Sequence, residues 1–183
     1  MDVLVVNFSG RISNGKGNGI GIGKFIIENF GNKSVLINYS DKEINSCNGC
    51  DYDCFYSRSN CKYFNDDLVS LYDVILQFKH IYYIIPVYSD FPCSNYFAFR
   101  ERGQCYFNDE RYELYSDKQI KFIVLANTGY NNVQNIIKND FPHTKDSHFL
   151  RLGSSDYGLK SADGNLMNNN DVRRKIRDFI AAN

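Results

Sequence analysis

The chain has 183 residues, 43% of them hydrophobic, and its formal net charge at neutral pH is zero. A chain of this length and apolar content can bury its core as one domain spanning residues 1–183. Zero net charge without a basic stripe argues against nucleic acid as a partner. No apolar run reaches the roughly 18 residues of a membrane span, and the N-terminus lacks the apolar core of a signal peptide. We therefore expect a cytoplasmic protein that binds neither membrane nor nucleic acid.

Short apolar segments alternate with amphipathic segments along the chain, and this alternation predicts a parallel β-sheet with helices on both faces. The segments predicted as strands are residues 2–7, 34–38, 80–87, 120–126 and 147–152. The segments predicted as helices are residues 19–30, 66–79, 92–102, 131–140 and 171–182. Residues 103–119 and 153–170 are predicted as loops. Because ligands of such sheets bind at the carboxyl ends of the strands, the loops that follow the strands are the candidate site.

The loop between the first strand and the first helix has the composition of an anion-binding loop. Residues 7–19 read NFSGRISNGKGNG, and no acidic residue precedes Glu28 in the helix that follows. Glycines let the backbone approach an anion, and a helix N-terminus offers free N–H groups and a favourable dipole. The loop therefore predicts a phosphate-binding site, and the alternative is a glycine-rich connector without a ligand.

The type of phosphate ligand is indicated by what this loop lacks. Residues 10–16 match the first seven positions of a nucleotide-triphosphate P-loop, but Gly17 stands where Ser or Thr would bind magnesium. The glycines alternate at every second position from 15 to 23 and never form the dinucleotide pattern G-x-G-x-x-G. The loop therefore favours a phosphate held without magnesium, with flavin mononucleotide (FMN) as the leading candidate. A P-loop nucleotide-binding protein is the weaker alternative.

Two further strand ends supply candidate contacts for a flavin ring. The first comprises Pro86, Val87, Tyr88 and Ser89, and the second comprises Asn127, Thr128, Gly129 and Tyr130. Either tyrosine taken alone is more often a packing residue than a ring-stacking partner, but their joint placement at strand ends favours a pair that flanks an aromatic ring. Gly129 permits close backbone contact. We expect the backbone N–H groups of both loops to face the flavin pyrimidine.

Four of the six cysteines fall within fifteen positions, with the spacing C-x2-C-x3-C-x6-C. They are Cys47, Cys50, Cys54 and Cys61. Thiolates are soft ligands suited to iron–sulfur clusters or zinc, and a chain without an export signal is not expected to carry a disulfide framework. We expect reduced, metal-free thiols in a segment that lines the flavin pocket or a dimer contact. A 4Fe–4S cluster and a zinc ion are the alternatives.

Three segments resemble, in order, the motifs of the NADPH-dependent FMN reductases, a group that includes the iron–sulfur flavoproteins. They are Ser9-x-Arg11 with Gly17-Asn18-Gly19, the run from Cys47 to Cys61 followed by Asp66-Asp67, and Pro86-Val87-Tyr88. The resemblance implies a flavodoxin-like three-layer sandwich whose five-stranded parallel sheet has the order 2-1-3-4-5. It also implies FMN as cofactor, with its phosphate bound by Ser9, Arg11, Gly17, Asn18 and Gly19. The other implied properties are NAD(P)H as co-substrate, a small-molecule electron acceptor such as a quinone, flavin or nitro compound, and a homodimer.

The sequence departs from this group at the phosphate loop. Gly19 stands where the group usually has Thr or Ser, and we expect Ser13 to supply the missing hydroxyl. We nominate no catalytic residue, because hydride transfer is chemistry that the cofactor itself supplies. The main alternative is a flavodoxin-type electron carrier, but such carriers have T-x-T-G-x-T loops and strongly acidic surfaces, which this chain lacks.

Overall fold

The structure is a computed structural model that describes residues 2–11, 17–31, 33–103, 106–107 and 109–182. Its strands are β1 (Val3–Asn7), β2 (Ser34–Asn38), β3 (His80–Tyr88), β4 (Phe91–Pro92), β5 (Gln119–Leu125) and β6 (Phe149–Leu152). Its α-helices are α1 (Asn18–Phe30), α2 (Asp67–Gln77), α3 (Ser94–Arg102), α4 (Asp109–Ser116), α5 (Tyr130–Asp140) and α6 (Asn170–Ala181). No helix within the described ranges is long and apolar enough to cross a membrane.

Five of the strands form one parallel sheet in the order β2-β1-β3-β5-β6. The two-residue strand β4 folds back against the end of β3 as an antiparallel hairpin. When this hairpin is left aside, the order is the 2-1-3-4-5 predicted from the sequence, and the prediction of a doubly covered parallel sheet is confirmed. The carboxyl ends of β1, β3 and β5 are neighbours, so the loops that follow them share one edge of the sheet.

The apolar strand β1 explains why both faces of the sheet are covered. All five of its residues are buried, and alternate side chains point to opposite faces. Leu4 and Val6 belong to the cluster formed with α2, α3 and α5, whereas Val3 and Val5 belong to the cluster formed with α1 and α6. A strand that is buried on both faces has a continuous apolar run rather than an alternating one.

Helix α4 and the hairpin strand β4 were not predicted from the sequence. Residues 103–119 were predicted as a loop because α4 has no apolar stripe: Tyr112 and Leu114 are exposed, and the buried anchor is Tyr115. The Tyr115 hydroxyl lies 2.8 Å from the Tyr83 hydroxyl in the core. Helical periodicity is visible in a sequence only where several side chains share a buried face.

The predicted polar loop at 153–170 is also more ordered than expected. It contains three short 3₁₀ helices, at Ser154–Tyr157, Ser161–Asp163 and Leu166–Asn168. Leu166 is buried in the same cluster as α1 and α6. This segment therefore packs against the body of the protein beside the N-terminus of α1.

Candidate functional site

Hydrogen bonds join the loops at the carboxyl edge of the sheet. The Asn95 side chain at the start of α3 donates to the Phe8 carbonyl, just beyond β1, at 2.9 Å. The Thr128 hydroxyl after β5 donates to the Asp90 carboxylate after β3 at 2.7 Å. The Asn132 amide donates to the Asp90 carbonyl at 2.9 Å. The predicted site segments after β1, β3 and β5 thus form one continuous surface.

Helix α1 begins so close to the end of β1 that position 19 has no room for a side chain. Asn7 is fully buried; its Oδ1 accepts from the Ser9 N–H, and its Nδ2 donates to Asn38, each at 3.1 Å. A Cβ atom on Gly19 would lie 2.3 Å from Oδ1 of Asn7 and 3.2 Å from Cβ of Ser9. The Thr or Ser of the FMN reductases would not fit here. Gly19 is thus a packing requirement of this chain.

Within the part of the chain that the structure describes, the N-terminus of α1 carries neither a negative charge nor a side-chain cap. Its N-cap residue is Gly17, no side chain within the described residues caps the helix, and its first turn has no acid. The first N–H groups of a helix have no partner within the helix, and the helix dipole favours an anion at this end. A Cβ atom at Gly17 would lie 2.7 Å from the Arg11 carbonyl oxygen, so this position also has little room for a side chain. The geometry suits a small anion close to the backbone.

The predicted phosphate ligands Arg11 and Asn18 are directed to the segment that follows β6. The Arg11 guanidinium donates to the carbonyls of Ser161 at 3.1 Å and Ala162 at 2.9 Å. The Asn18 amide donates to the same Ser161 carbonyl at 3.4 Å, and its oxygen accepts from the Leu166 N–H at 3.0 Å. These contacts link residues about 150 positions apart in the sequence. No local sequence pattern predicts these contacts.

Ser9 and Ser13 complete the predicted phosphate loop. Ser9 is buried, and its hydroxyl accepts from the Arg11 N–H at 3.3 Å, so the turn is closed locally. Ser13 lies outside the described residues. Its role as a replacement hydroxyl stays a prediction.

The loop after β3 turns back through two residues with positive φ. Ser89 has φ 48° and Asp90 has φ 65°, as in the tight turns that join antiparallel strands. Gly129, with φ 71°, packs directly on this turn, because a Cβ atom there would lie 2.4 Å from Cα of Asp90. Left-handed backbone at a non-glycine residue costs free energy and is concentrated at functional sites. The contact holds the two predicted ring-binding loops against each other.

The two tyrosines proposed to flank a ring have different surroundings. Tyr88 is 52% exposed at the end of β3, beyond the buried Pro86 and the partly buried Val87. Tyr130 is the first residue of α5 and packs against the core; burial, followed by the nearby Asp146 carboxylate, raises the pKa of its hydroxyl. Tyr88 is therefore the accessible aromatic of the pair.

Asn127, another predicted ring contact, binds residues of the chain itself. Its Oδ1 accepts from the Ser155 N–H at 3.1 Å and from the Ser155 hydroxyl at 3.2 Å. Its Nδ2 donates to the Ser161 hydroxyl at 3.1 Å. Asn7, Asp90, Ser155 and Ser161 thus belong to the candidate site without a signal in the sequence, because each contacts a partner distant in the chain.

The four clustered cysteines lie close together in one segment. Cys47 and Cys50 are exposed, Cys54 and Cys61 are partly buried, and all four line a cavity of about 20 Å³. Burial and the neighbouring Cys50 thiol raise the pKa of Cys47, and burial and the Cys61 thiol do the same for Cys54. No described group of three or more His, Cys, Asp or Glu is placed to hold a metal ion. Such a cavity holds about one water, so a cluster would require the thiols to separate.

A buried ion pair between Arg102 and Asp66 supports the cysteine segment. The side chains of Arg102 and Asp66 are 1% and 7% exposed, and their closest atoms are 2.7 Å apart. Arg102 also donates to the Asn45 carbonyl at 2.8 Å. Burial alone would raise the pKa of Asp66, but hydrogen bonds from Arg102 and from the backbone outweigh it and lower that pKa. Asp66, the first residue of the Asp66-Asp67 pair that follows the cysteines, therefore has a structural role.

A cavity of the described residues lies away from the phosphate loop. It has a volume of about 1330 Å³ and runs along the helical face between α3, α4 and α5, from Tyr52 to His148. None of the predicted cofactor-binding residues lines it. It adjoins Gly103 and Phe107, whose neighbours lie outside the described residues. The candidate site therefore lies at the strand ends and not in this cavity.

Solved structures share this fold at low sequence identity. RosB with the bound intermediate 8-demethyl-8-formylriboflavin-5'-phosphate is 14% identical, with a TM-score of 0.71 over 99% of this chain and 76% of that one. An FMN-dependent NADH-azoreductase from Bacillus anthracis in complex with FMN is 12% identical, with a TM-score of 0.63 over 100% of both chains. The Trp repressor binding protein from Bacillus subtilis is 12% identical, with a TM-score of 0.64 over 100% of this chain and 99% of that one.

These likenesses establish a flavodoxin-like fold for the chain. No protein-family model matches the sequence, and no curated protein matches it. The activity must therefore be argued from the residues at the carboxyl edge of the sheet.

Proposed function

We propose that the chain is an FMN-dependent NAD(P)H oxidoreductase that resembles the NADPH-dependent FMN reductases and passes electrons to a small-molecule acceptor. The observation that carries this proposal is the N-terminus of α1, which has no acid in its first turn and no side-chain cap among the described residues. It meets the end of β1 where Gly17 and Gly19 leave little room for a side chain. Ligands that bear a phosphate group suit such a position. Two solved proteins of this fold have an FMN or a flavin phosphate derivative bound, which supports the choice of ligand.

The residues present fit a flavin phosphate. Ser9, Arg11, Asn18 and the first N–H groups of α1 would hold the phosphate, while the backbone of Thr128 and Gly129 and the exposed Tyr88 ring would contact the flavin. Bound FMN supplies hydride and electron transfer; the chain positions the ring and excludes water. Among the described residues, the contacts that join these loops involve one acidic side chain, Asp90, whose carboxylate accepts from Thr128.

We further propose one FMN-binding domain over residues 1–183, a homodimer and a cytoplasmic location. The exposed rings of Tyr52, Phe55 and Tyr56 in the cysteine segment support the dimer, because monomeric proteins seldom leave large apolar side chains grouped at the surface.

The cysteines are proposed to be reduced and metal-free. Anaerobic purification followed by iron, acid-labile sulfide and zinc assays tests this, and near-stoichiometric metal that is lost in Cys50→Ser would show that the segment is a metal centre.

FMN binding is tested by heat-denaturing the purified protein and measuring the flavin released. We expect about one FMN per chain, and a loss of affinity of about tenfold or more in Arg11→Ala, because a charge-assisted hydrogen bond to the phosphate is removed. Arg174→Ala is the matched control, since Arg174 pairs with Asp171 on the exposed face of α6. Protein that neither retains nor rebinds FMN would refute the proposal.

The enzymatic step is tested under anaerobic conditions. NADH or NADPH should bleach the flavin absorbance within seconds, and an added quinone, flavin or nitro compound should restore it. Dithionite serves as the control for a reducible flavin. A flavin that dithionite reduces but neither nicotinamide reduces would identify an electron carrier and not a reductase.

A further inference from the structure

The segment after β6 reaches the phosphate loop through a short exposed stretch between two glycines. Gly158 and Gly164 have φ of 66° and 65°, a left-handed conformation that glycine adopts without strain. We refer to residues 158–164 as the flap. Its residues 160–163 are exposed, whereas the chain on either side is held in place.

The two ends of the flap are anchored independently of it. Before it, the Arg151 guanidinium binds both carboxylate oxygens of Asp156, at 2.8 and 3.0 Å. After it, the Leu166 side chain is 1% exposed in the core, and the Asn169 side chain caps α6. Within the flap, Leu159 packs against the same core cluster as Leu166, so the part that can move without loss of core packing is residues 160–163.

The flap is closed by the same donors that the proposed function assigns to a phosphate. Three side-chain N–H donors, two from Arg11 and one from Asn18, point at the Ser161 and Ala162 carbonyls. A fourth contact joins the Asn127 amide to the Ser161 hydroxyl. Carbonyl oxygens carry partial negative charge, so they occupy these donors as the oxygens of an anion would.

We propose that the flap is a self-inhibitory element, in which the Ser161 and Ala162 carbonyls and a ligand phosphate compete for Arg11 and Asn18. Binding of the phosphate releases the flap, and closure of the flap expels the phosphate. The inference rests on the proposed function only for the site of the phosphate, and inorganic phosphate can replace FMN in its test. When only a fraction of the protein molecules is in the binding-competent state, here the state with the flap open, the apparent affinity for the ligand is reduced by that fraction.

Limited trypsin digestion measures how accessible the flap is, because Lys160 lies within it and is exposed. If phosphate and flap compete, FMN or millimolar inorganic phosphate accelerates cleavage after Lys160, as followed by mass spectrometry. If the flap instead forms a wall of the site, the ligand slows this cleavage. Cleavage after Arg174 on α6 serves as the internal reference in the same digest.

Ser161→Ala provides the second measurement, since it removes the hydroxyl bond to Asn127 but leaves every proposed phosphate donor intact. Loss of one such bond should raise the apparent affinity for FMN and for inorganic phosphate by about two- to tenfold, chiefly through faster association. Ser70→Ala is the control, because its exposed hydroxyl bonds the Asp67 carbonyl within α2, away from the flap.

The outcomes separate the two proposals. Failure of FMN to bind either the natural chain or Ser161→Ala would refute the flavin function. The titration with inorganic phosphate would still test whether phosphate and the flap compete. Ligand-induced protection at Lys160, unchanged cleavage with either ligand, or weaker binding by Ser161→Ala would each overturn the self-inhibitory flap.

Discussion

The close approach of α1 to β1 predicts that the residue typical of the FMN reductases is harmful at position 19. We consider Gly19→Ala first, because it adds only a Cβ atom. That atom would lie 2.3 Å from Oδ1 of Asn7, so Asn7 or the helix must move. Asn7 cannot move freely, because it is fully buried and its amide makes two hydrogen bonds of 3.1 Å.

The magnitude follows from three terms. Overpacking in a core costs about 1–3 kcal/mol, and loss of one buried hydrogen bond of Asn7 adds about 1–3 kcal/mol. Replacement of glycine in a helix returns up to about 1 kcal/mol. We therefore expect Gly19→Ala to lower the free energy of unfolding by about 1–5 kcal/mol, and Gly19→Thr to lower it further without improving FMN affinity.

Urea denaturation measures this effect, with the midpoint and the m-value both reported so that a change in stability is distinguished from a change in compactness. Gly21→Ala is the matched control in the same helix. Its Cβ would lie 3.1 Å from Cγ of Met167, a flexible side chain that can rotate away. Equal stability of the two alanine variants would refute the argument from close approach, and tighter FMN binding by Gly19→Thr would show that position 19 has room for a ligand hydroxyl.

Three further predictions concern the buried groups. Arg102→Met should destabilise the fold by about 3–5 kcal/mol in urea denaturation, because it leaves Asp66 buried and unpaired, whereas exposed Arg174→Ala should change stability by less than about 0.5 kcal/mol. Because the pKa of Asp66 is lowered in the folded chain, its ionised carboxylate stabilises the fold above the ordinary aspartate pKa of about 4, and this stabilisation is lost as the pH falls through the folded-state pKa. The melting temperature, measured between about pH 2 and 6, should therefore fall less steeply with acid in Asp66→Asn than in the natural chain. An unchanged slope would contradict this assignment. A thiol reagent at neutral pH should modify exposed Cys47 in the native protein but reach Cys93 only after unfolding, since burial raises the pKa of Cys93 to about 11; rapid native modification of Cys93 would show that its site opens.

Local sequence patterns determined most of the architecture. The continuous apolar run of β1 identified a strand buried on both faces, and the glycine-rich stretch that follows placed a helix N-terminus at the end of it. The alternation of strands and helices then gave the parallel sheet, because each element carries its own periodicity within a few residues. This alternation predicts that the three loops after β1, β3 and β5 lie at one edge of the sheet, as they do in the structure.

Tertiary structure alone decided how these loops are used. Arg11 binds carbonyls 150 residues away, Gly19 is required by a buried Asn7 side chain, and Asp90 joins two loops that are separate in the sequence. Helix α4 was missed for a related reason, since its buried anchor is one tyrosine bound to a distant strand. Periodicity reports which side of an element is buried, but it carries no information about which remote backbone or side chain meets a given donor. The packing of the flap against the phosphate loop thus depends on contacts that exist only in the folded chain.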